Sequence, residues 1–490
     1  MEPTAKRSSL DNAEKASTHV ASAAEMQLDP AVIKKLKFKA DFILLPILTI
    51  AYLLNSLDRS NLSNAYTAGI AKDLNLVGNQ YNQVLTYYQI PFIAFGPIMT
   101  MCTKWFGARY NMAGMLLVFG AASFATAWTK NFHQLIACRV IVGAGESGFL
   151  ASVVFYLSTW YTRKELSSRI GIFYAALVGS SAFGGLLAYG MFQIKGGSYY
   201  TWSYLFMLEG GLTMLWAVGV FFLLPSDIQS AWFLTPAEKE MAQLRLEVDS
   251  VKQPEVSTSV AWKESLSEFK TPHPWIRFVI AFVCGTMLTS NANFLAMIVA
   301  RLGFGTVKTN LYTVAPALTG AVFLVAWCKS SDRFQDRGFH AAAAAVVSLI
   351  GYIILASINT SNTAVLYFAM FLCTIGAYPT TPIGSAWLVS NLPNLNSRAL
   401  LSGLYIAIAN CSGLLTSNIY ITHEAPRYIT AISVNIGMCA AAIVICTSYS
   451  TWMRWENRKR NRLQGDSVVA GADPAVAVLS TEDPRFRFNP

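Results

Sequence analysis

Charge is what this sequence has least of: 13% of its residues are Asp, Glu, Lys or Arg, against about 25% in soluble proteins. What charge there is gathers in tails and short junctions. Histidine is scarce too, with five residues (His19, His133, His273, His340 and His423), all in tails or near the ends of apolar runs. Any proton that crosses these runs must therefore ride mainly on carboxylates. The eight cysteines (102, 138, 284, 328, 373, 411, 439 and 446) form no C-x-x-C and lie within or at the ends of apolar runs. They read as small buried hydrophobes, with no disulfide framework and no metal site. The chain also lacks a P-loop, a nucleophile elbow and an H-E-x-x-H, so no enzyme chemistry and no cofactor is expected. A formal net charge of +10 raises nucleic acid as a partner. No basic patch is interleaved with base-stacking aromatics, and a lipid bilayer explains the basic excess better.

What fills the space is apolar. Hydrophobic residues make up 54% of the chain, in charge-free runs of roughly 20 residues, the length of a membrane helix. The expected fold is all-α and polytopic, with twelve transmembrane helices in two six-helix pseudo-repeats. The spans are expected at 41–66, 80–103, 109–129, 132–159, 169–193 and 202–224, then 275–299, 309–329, 339–358, 363–391, 398–421 and 430–453. This divides the chain into a disordered N-tail (1–40) ending in a short interfacial helix, a first bundle (41–224), a central loop (225–274), a second bundle (275–453) and a C-tail (454–490). Within the loop, Thr235-Pro-Ala-Glu238 has the pattern of a helix N-cap with Pro in the first turn. Lys and Arg concentrate in the tails and alternate loops. Only Lys72, Lys130, Lys195, Arg301, Lys308 and Arg427 fall in the opposite loops, which predicts cytoplasmic termini by the positive-inside rule.

Against this background the charges inside spans stand out. Asp58 and Arg59 close the charge-free run Phe42–Leu57, and each costs about 2.5–3.5 kcal/mol near the middle of a span. Span four contains Val140-Ile-Val-Gly-Ala-Gly-Glu-Ser-Gly148, a literal G-x-G-x-x-G. A dinucleotide site needs a soluble strand–turn–helix around that motif. Here the chain runs on into apolar Phe149–Trp160, so the glycines read as close helix packing. Arg139 and Glu146 lie seven residues apart on the same span, nearly two turns, and so share one face. Asp58 and Glu146 are candidate proton carriers, and Arg59 and Arg139 candidate contacts for an anionic substrate. Burial raises a carboxyl's pKa and a nearby Arg lowers it, so loading an anion can change proton affinity. The competing reading is an ion-pair network that only fixes helix packing. Neighbours on a helix point about 100° apart, which favours pairing between helices, Asp58 toward Arg139 and Arg59 toward the substrate. Glu209, beside Gly210 and Gly211, reads as structural. In the second half Asn291, Asn293, Tyr378, Trp387 and Asn410 are polar residues within spans, Asn410 being the candidate substrate contact. Pro379, Pro382 and Gly384 predict a kink in span ten.

Two sets of six spans around a central loop resemble the plan of the major facilitator transporters, whose substrates sit near the midplane between the halves. Ser331-Asp-Arg-Phe-Gln-Asp-Arg337 is similar to that superfamily's inner-loop signature, with Asp332, Arg333 and Arg337 matching as gating residues. The corresponding Lys104-Trp-Phe-Gly-Ala-Arg109 departs from it, with Lys104 in place of the acid. Leu54–Ala65 (LNSLDRSNLSNA) resembles the first-span signature of the anion:cation symporter branch, in particular the fungal allantoate-permease-like family. Further matches are Arg139 with Gly143, Glu146 and Gly148; Trp160-Tyr-Thr-Arg-Lys-Glu165 with Arg169; and Phe206-Met-Leu-Glu-Gly210. Leu302-Gly-Phe304 with Asn310-Leu311, Asn410, and Glu456-Asn-Arg-Lys-Arg460 complete the set.

The resemblance covers residues 40–462. It implies proton-coupled uptake of a small organic anion (a vitamin such as nicotinate, allantoate, a sugar acid or a small peptide) by a monomer in the plasma membrane. It also implies that Asp58, Arg59, Arg139 and Glu146 serve coupling and substrate binding. Ser56, Ala94-Phe-Gly-Pro97 and Ala296 differ from the family pattern around the pocket and gate, and leave the substrate open. Two other readings stay open on sequence: an exporter of a specialised metabolite or drug, although Gly179, Gly184, Gly185 and Gly190 lack the antiporters' Gly-Pro pattern, and a nutrient sensor that binds without transport.

Overall fold

A computed structural model describes residues 30–77, 80–192, 194, 199–249, 266–300, 306–358, 362–393, 395–420, 424, 427–464, 481 and 486–490, and among these residues there are twelve long helical passages. The first half holds α1 (Pro30–Thr67), the short α2 (Ile70–Asp73), α3 (Gln80–Phe106), α4 (Ala108–Thr126), α5 (Phe132–Glu146), α6 (Phe149–Ser158), α7 (Leu166–Phe192) and α8 (Thr201–Leu223). After α9 (Pro236–Asp249) come α10 (Pro272–Ala300), α11 (Thr306–Phe334), α12 (Gly338–Ser357), α13 (Thr363–Ser390), α14 (Leu395–Ile419) and α15 (Ile429–Gln464). Among the described residues, nine stretches are long and apolar enough to cross a membrane. Large apolar side chains such as Leu117, Phe222, Val322 and Val444 point outward, while the charged side chains of the spans turn in. That is the reverse of a soluble protein and suits a lipid surround.

The fourth passage is broken. α5 stops at Glu146, Ser147 leaves the helical region (ψ 135°), and Gly148 turns left-handed (φ +72°) before α6 starts. A side chain on Gly148 would be strained in that conformation, and a Cβ there would lie 2.5 Å from Gly96 O on α3. Span ten keeps Pro379 and Pro382 inside one uninterrupted helix, so the expected kink does not divide α13.

Helices continue beyond the expected spans toward both tails. Residues 30–40, where the sequence places a short helix at the end of the tail, are helical and run without a break into α1. Leu36 and Ala40 are buried, Lys37 pairs with Glu165, Lys39 with Glu238 (2.7 Å) and Asp41 with Arg169 (2.8 Å). Lys39 closes on the N-terminus of α9, where Thr235 and Glu238 form the expected reciprocal cap. The Lys39 ammonium holds the Glu238 carboxyl below the usual range. At the other tail α15 continues to Gln464, and Phe486–Pro490 packs back onto the bundle. These contacts define one end of the molecule, the basal end. The expected features at 1–29, Lys195, 250–265, Arg301–Phe304 and His423, and the side chains of Asn293, Ala296, Lys308 and Asn310, lie outside the described residues.

The halves meet along α3 against α14 and α7 against α11. Gly403 on α14 lets the first pair close: a Cβ there would lie 2.5 Å from Pro97 Cα on α3. At the basal end Asp332, on α11, caps the start of α7 across the halves. Its carboxylate accepts from Ser167 N (3.2 Å) and Ser168 N (2.6 Å), unpaired donors of a helix N-terminus. Arg337 holds Asp332 at 2.6 Å and donates to Arg163 O (2.7 Å) in the opposite half. This clasp seals the basal end. The equivalent loop of the first half turns back on its own half instead, Arg109 Nε donating to Leu224 O (3.0 Å). Arg333 is exposed.

Candidate functional site

The charges inside the first half gather into one cluster built from α1, α3, α4, α5 and α8. Asp58 and Arg59 diverge, as the helical turn requires. Asp58 points back into the bundle, buried, where it accepts from Ser123 on α4 and faces Arg139 Nη1 at 3.7 Å. Arg139 is 2% exposed, with its guanidinium 5.1 Å from the Phe206 ring centroid. Arg59 turns the other way, toward α3 and the end of α5. Its Nε donates to Glu146 Oε2 (3.2 Å), and its guanidinium lies over Phe92, 4.5 Å from the ring centroid. Tyr88 OH donates to the same carboxylate oxygen at 2.5 Å.

Exposure separates the two bases. The Arg59 side chain is 27% exposed and Glu146 is fully buried, whereas both members of the Asp58–Arg139 pair are sealed. Glu146 Oε1 and Arg139 Nε and Nη2 are buried without hydrogen-bond partners among the described residues. A buried ion pair is costly unless its lone pairs and protons are satisfied, so this cluster is held at some expense to packing. Its geometry depends on backbone that only glycine permits. A Cβ on Gly143 would lie 2.3 Å from Tyr88 O, so Gly143 lets α5 approach α3 closely enough for Tyr88 to reach Glu146. Glu146 is the last residue of α5, where the helix's partial negative charge adds to its own. Arg59 answers both.

The predicted residues are not all brought together. Asp58, Arg59, Arg139 and Glu146 form the cluster. Glu209 stands beside it as a third buried carboxyl, bonded to Asn61. Asn410, on α14, is part-buried and donates to Ile406 O of its own helix (2.7 Å). Asn291 accepts from Thr374 at 3.5 Å, and Trp387 belongs to the basal end. Sequence reasoning missed Tyr88, Phe92 and Ser123. Tyr88 and Phe92 are four residues apart on α3 and stack at 5.7 Å, so their helical spacing was a usable signal. Ser123 carried none.

Two six-passage helical halves, clasped at one end, with a mostly buried cluster of acids and bases in the first, are the plan of a membrane transporter. Residues 48–417 match the family model described as Major Facilitator Superfamily, and the chain belongs to that family. It is 42% identical over 469 residues to an uncharacterized transporter of Schizosaccharomyces pombe, covering 94% of this chain and 91% of that one. It is 29% identical over 456 residues to the high-affinity nicotinic acid transporter of Saccharomyces cerevisiae, covering 93% and 84%. Among solved structures, the proton:xylose symporter XylE superposes with a TM-score of 0.63 at 16% identity, over 84% of this chain and 96% of that one. The protein is thus an integral membrane transporter of major facilitator type.

Proposed function

We propose that this transporter belongs to the anion:cation symporter branch and couples protons to the uptake of a small organic anion. On this reading it works as a monomer in the plasma membrane, with both termini cytoplasmic, and reaches both sides by alternating access. The observation that carries the reading is the Arg59–Glu146 pair: a part-exposed guanidinium bonded to a fully buried carboxylate at 3.2 Å. A guanidinium fork suits a carboxylate substrate, but here Glu146 occupies it. Protonating Glu146 neutralises the competitor and releases Arg59 to the substrate, so proton and anion load together. Asp58 is the second proton site and Arg139 its partner; Arg139 acts on the substrate through the field of the cluster. Asn410 joins from the second half by turning its amide from Ile406 O to the substrate. The basal clasp of Asp332 and Arg337 opens in the cytoplasm-facing state. The 29% identity to a nicotinic acid transporter supports a monocarboxylate as the substrate class.

The test is reconstitution in liposomes under an inward proton gradient, with a panel of labelled carboxylates that includes nicotinate. Accumulation that collapses with a protonophore supports the proposal. Export of a native metabolite with no uptake from the panel would sink it, as would binding without flux in either direction.

A further inference from the structure

Phe486-Arg-Phe-Asn-Pro490 lies at the basal end as an extended peptide in a groove of the second half. Asn457 on α15 brackets Phe488, accepting from its N–H (2.9 Å) and donating to its carbonyl (2.7 Å). Asn391, just after α13, does the same for Asn489, with both bonds at 2.8 Å. Trp387 Nε1 donates to Asn489 O (2.9 Å), Arg460 Nη1 to Phe486 O (2.9 Å) and Arg337 N to Pro490 O (2.7 Å). The side chains alternate as in a strand. Phe486 and Phe488 are 4% and 3% exposed, Phe488 against His273, Trp452 and Arg460, while Arg487 turns out to Asn461 (2.6 Å). Main-chain bonds with alternate side chains in pockets are how a groove recognises a particular extended segment.

The location gives this docking a consequence. Arg337, whose N–H holds Pro490, is the residue whose guanidinium reaches across to Arg163 O in the first half. Phe486 in turn lies under the Arg163 guanidinium, 5.6 Å from ring centroid to Cζ. The segment therefore touches both halves at the clasp, and parting the halves must strip Arg163 from Phe486. We propose that Phe486–Pro490 is a latch: seated, it stabilises the state closed at the basal end, and its release lowers the barrier to opening there. A regulator that competes for Asn391 and Asn457 would set the transport rate without touching the substrate site. The latch follows from alternating access alone and is independent of the substrate or proton reading.

Its test uses a reporter away from the groove. Ser158, buried at the end of α6 in the first half, faces Val389, Ser390 and Arg398 of the second across the closed basal end. In the full chain with Ser158→Cys, the rate of labelling by an impermeant maleimide reports opening, with the chain lacking that substitution as the blank for native cysteines. Removing residues 486–490, or separately Asn457→Ala, is expected to speed labelling roughly five- to tenfold, in line with losing two or more hydrogen bonds. Adding the free peptide Phe-Arg-Phe-Asn-Pro should slow the truncated protein again. Labelling within about twofold of the full chain for both variants overturns the latch, and so does faster labelling that the peptide does not reverse.

Discussion

Glu146→Gln is the sharpest perturbation of the proposed coupling, because it keeps size and hydrogen bonding while removing one charge. Glu146 accepts from Arg59 Nε at 3.2 Å and from Tyr88 OH at 2.5 Å. An amide oxygen still accepts both bonds, so the cluster stays assembled, but Arg59 no longer faces an anion. A hydrogen bond to a charged group contributes about 1.5–3 kcal/mol. At a pH where Glu146 is ionised, a substrate carboxylate must displace that much; with Gln it displaces only a neutral bond of about 0.5–1.5 kcal/mol. The difference is about 1–1.5 kcal/mol, and since about 1.4 kcal/mol is a factor of ten, anion affinity in the variant should rise by roughly five- to tenfold at alkaline pH. The sign of the pH dependence follows. In the native protein affinity rises as pH falls, because acid breaks the Arg59–Glu146 pair; in the variant that contribution is gone. Proton-driven accumulation should vanish while exchange of internal for external substrate persists. The assay is equilibrium binding by the purified protein across pH, using the carboxylate that the uptake panel selects, alongside gradient-driven uptake and counterflow. Unchanged pH dependence of binding in Glu146→Gln would refute the mechanism and leave Glu146 a packing residue.

The other expectations are more local. Asp58→Asn strands the Arg139 cation in a sealed site and should destabilise the protein by about 3–5 kcal/mol; thermal unfolding in detergent checks this, and Asp58→Asn with Arg139→Met should recover stability but not transport. Gly143→Ala drives a Cβ to 2.3 Å from Tyr88 O, which should cost at least about 1–3 kcal/mol by overpacking and abolish transport even where the protein still folds. Glu238→Gln keeps the α9 cap but loses the Lys39 pair, so the loss should stay within about 1 kcal/mol. With the Glu238 carboxyl held low by Lys39, that contribution is fully present above the ordinary Glu range and fades only as pH falls below it, which a pH series of melting temperatures checks. With Glu146 alone carrying the coupled proton, uptake of a monovalent anion should be indifferent to membrane potential clamped with potassium and valinomycin; strong potential dependence would show that a second proton travels on Asp58.

The plan of the fold was legible because charge is so rare here that each polar gap marks a span end. The Gly-rich stretch of span four announced close packing, and Gly143 and Gly148 meet α3 backbone as that reading requires. The left-handed turn at Gly148 was not legible, since a glycine reads the same whether it saves space or turns the chain. Divergence of Asp58 and Arg59 followed from the helical angle, and so did the pairing of Asp58 with Arg139. The identity of the Arg59 partner did not. Sequence reasoning aimed Arg59 at a substrate, and the structure turns it onto Glu146. Tyr88 and Phe92 stayed hidden because an aromatic in an apolar span usually faces lipid or another helix, and only geometry shows which rings meet a guanidinium. Phe486–Pro490 is too short for its alternation to stand out from a polar tail, and its docking depends on Asn391 and Asn457, far off in sequence.

The arrangement of these charges also bears on why a proton would travel with the anion at all. Asp58 and Glu146 balance Arg59 and Arg139, and Glu209 is set apart on Asn61. Adding a carboxylate to Arg59 while Glu146 stays ionised places two anions against one guanidinium in a site mostly closed to water. Two like charges about 4 Å apart repel by about 4 kcal/mol at an effective dielectric of about 20, enough to cancel the bond the substrate gains. Adding a proton to Glu146 at the same moment leaves the net charge of the site as it was, whatever the state of Glu209. Coupling on this view needs no relay of residues across the membrane. It needs one acid that competes with the substrate for one base, held where the acid cannot be rescued by solvent. Burial of Glu146 supplies the second condition, and the partial exposure of Arg59 leaves the substrate a way to the first.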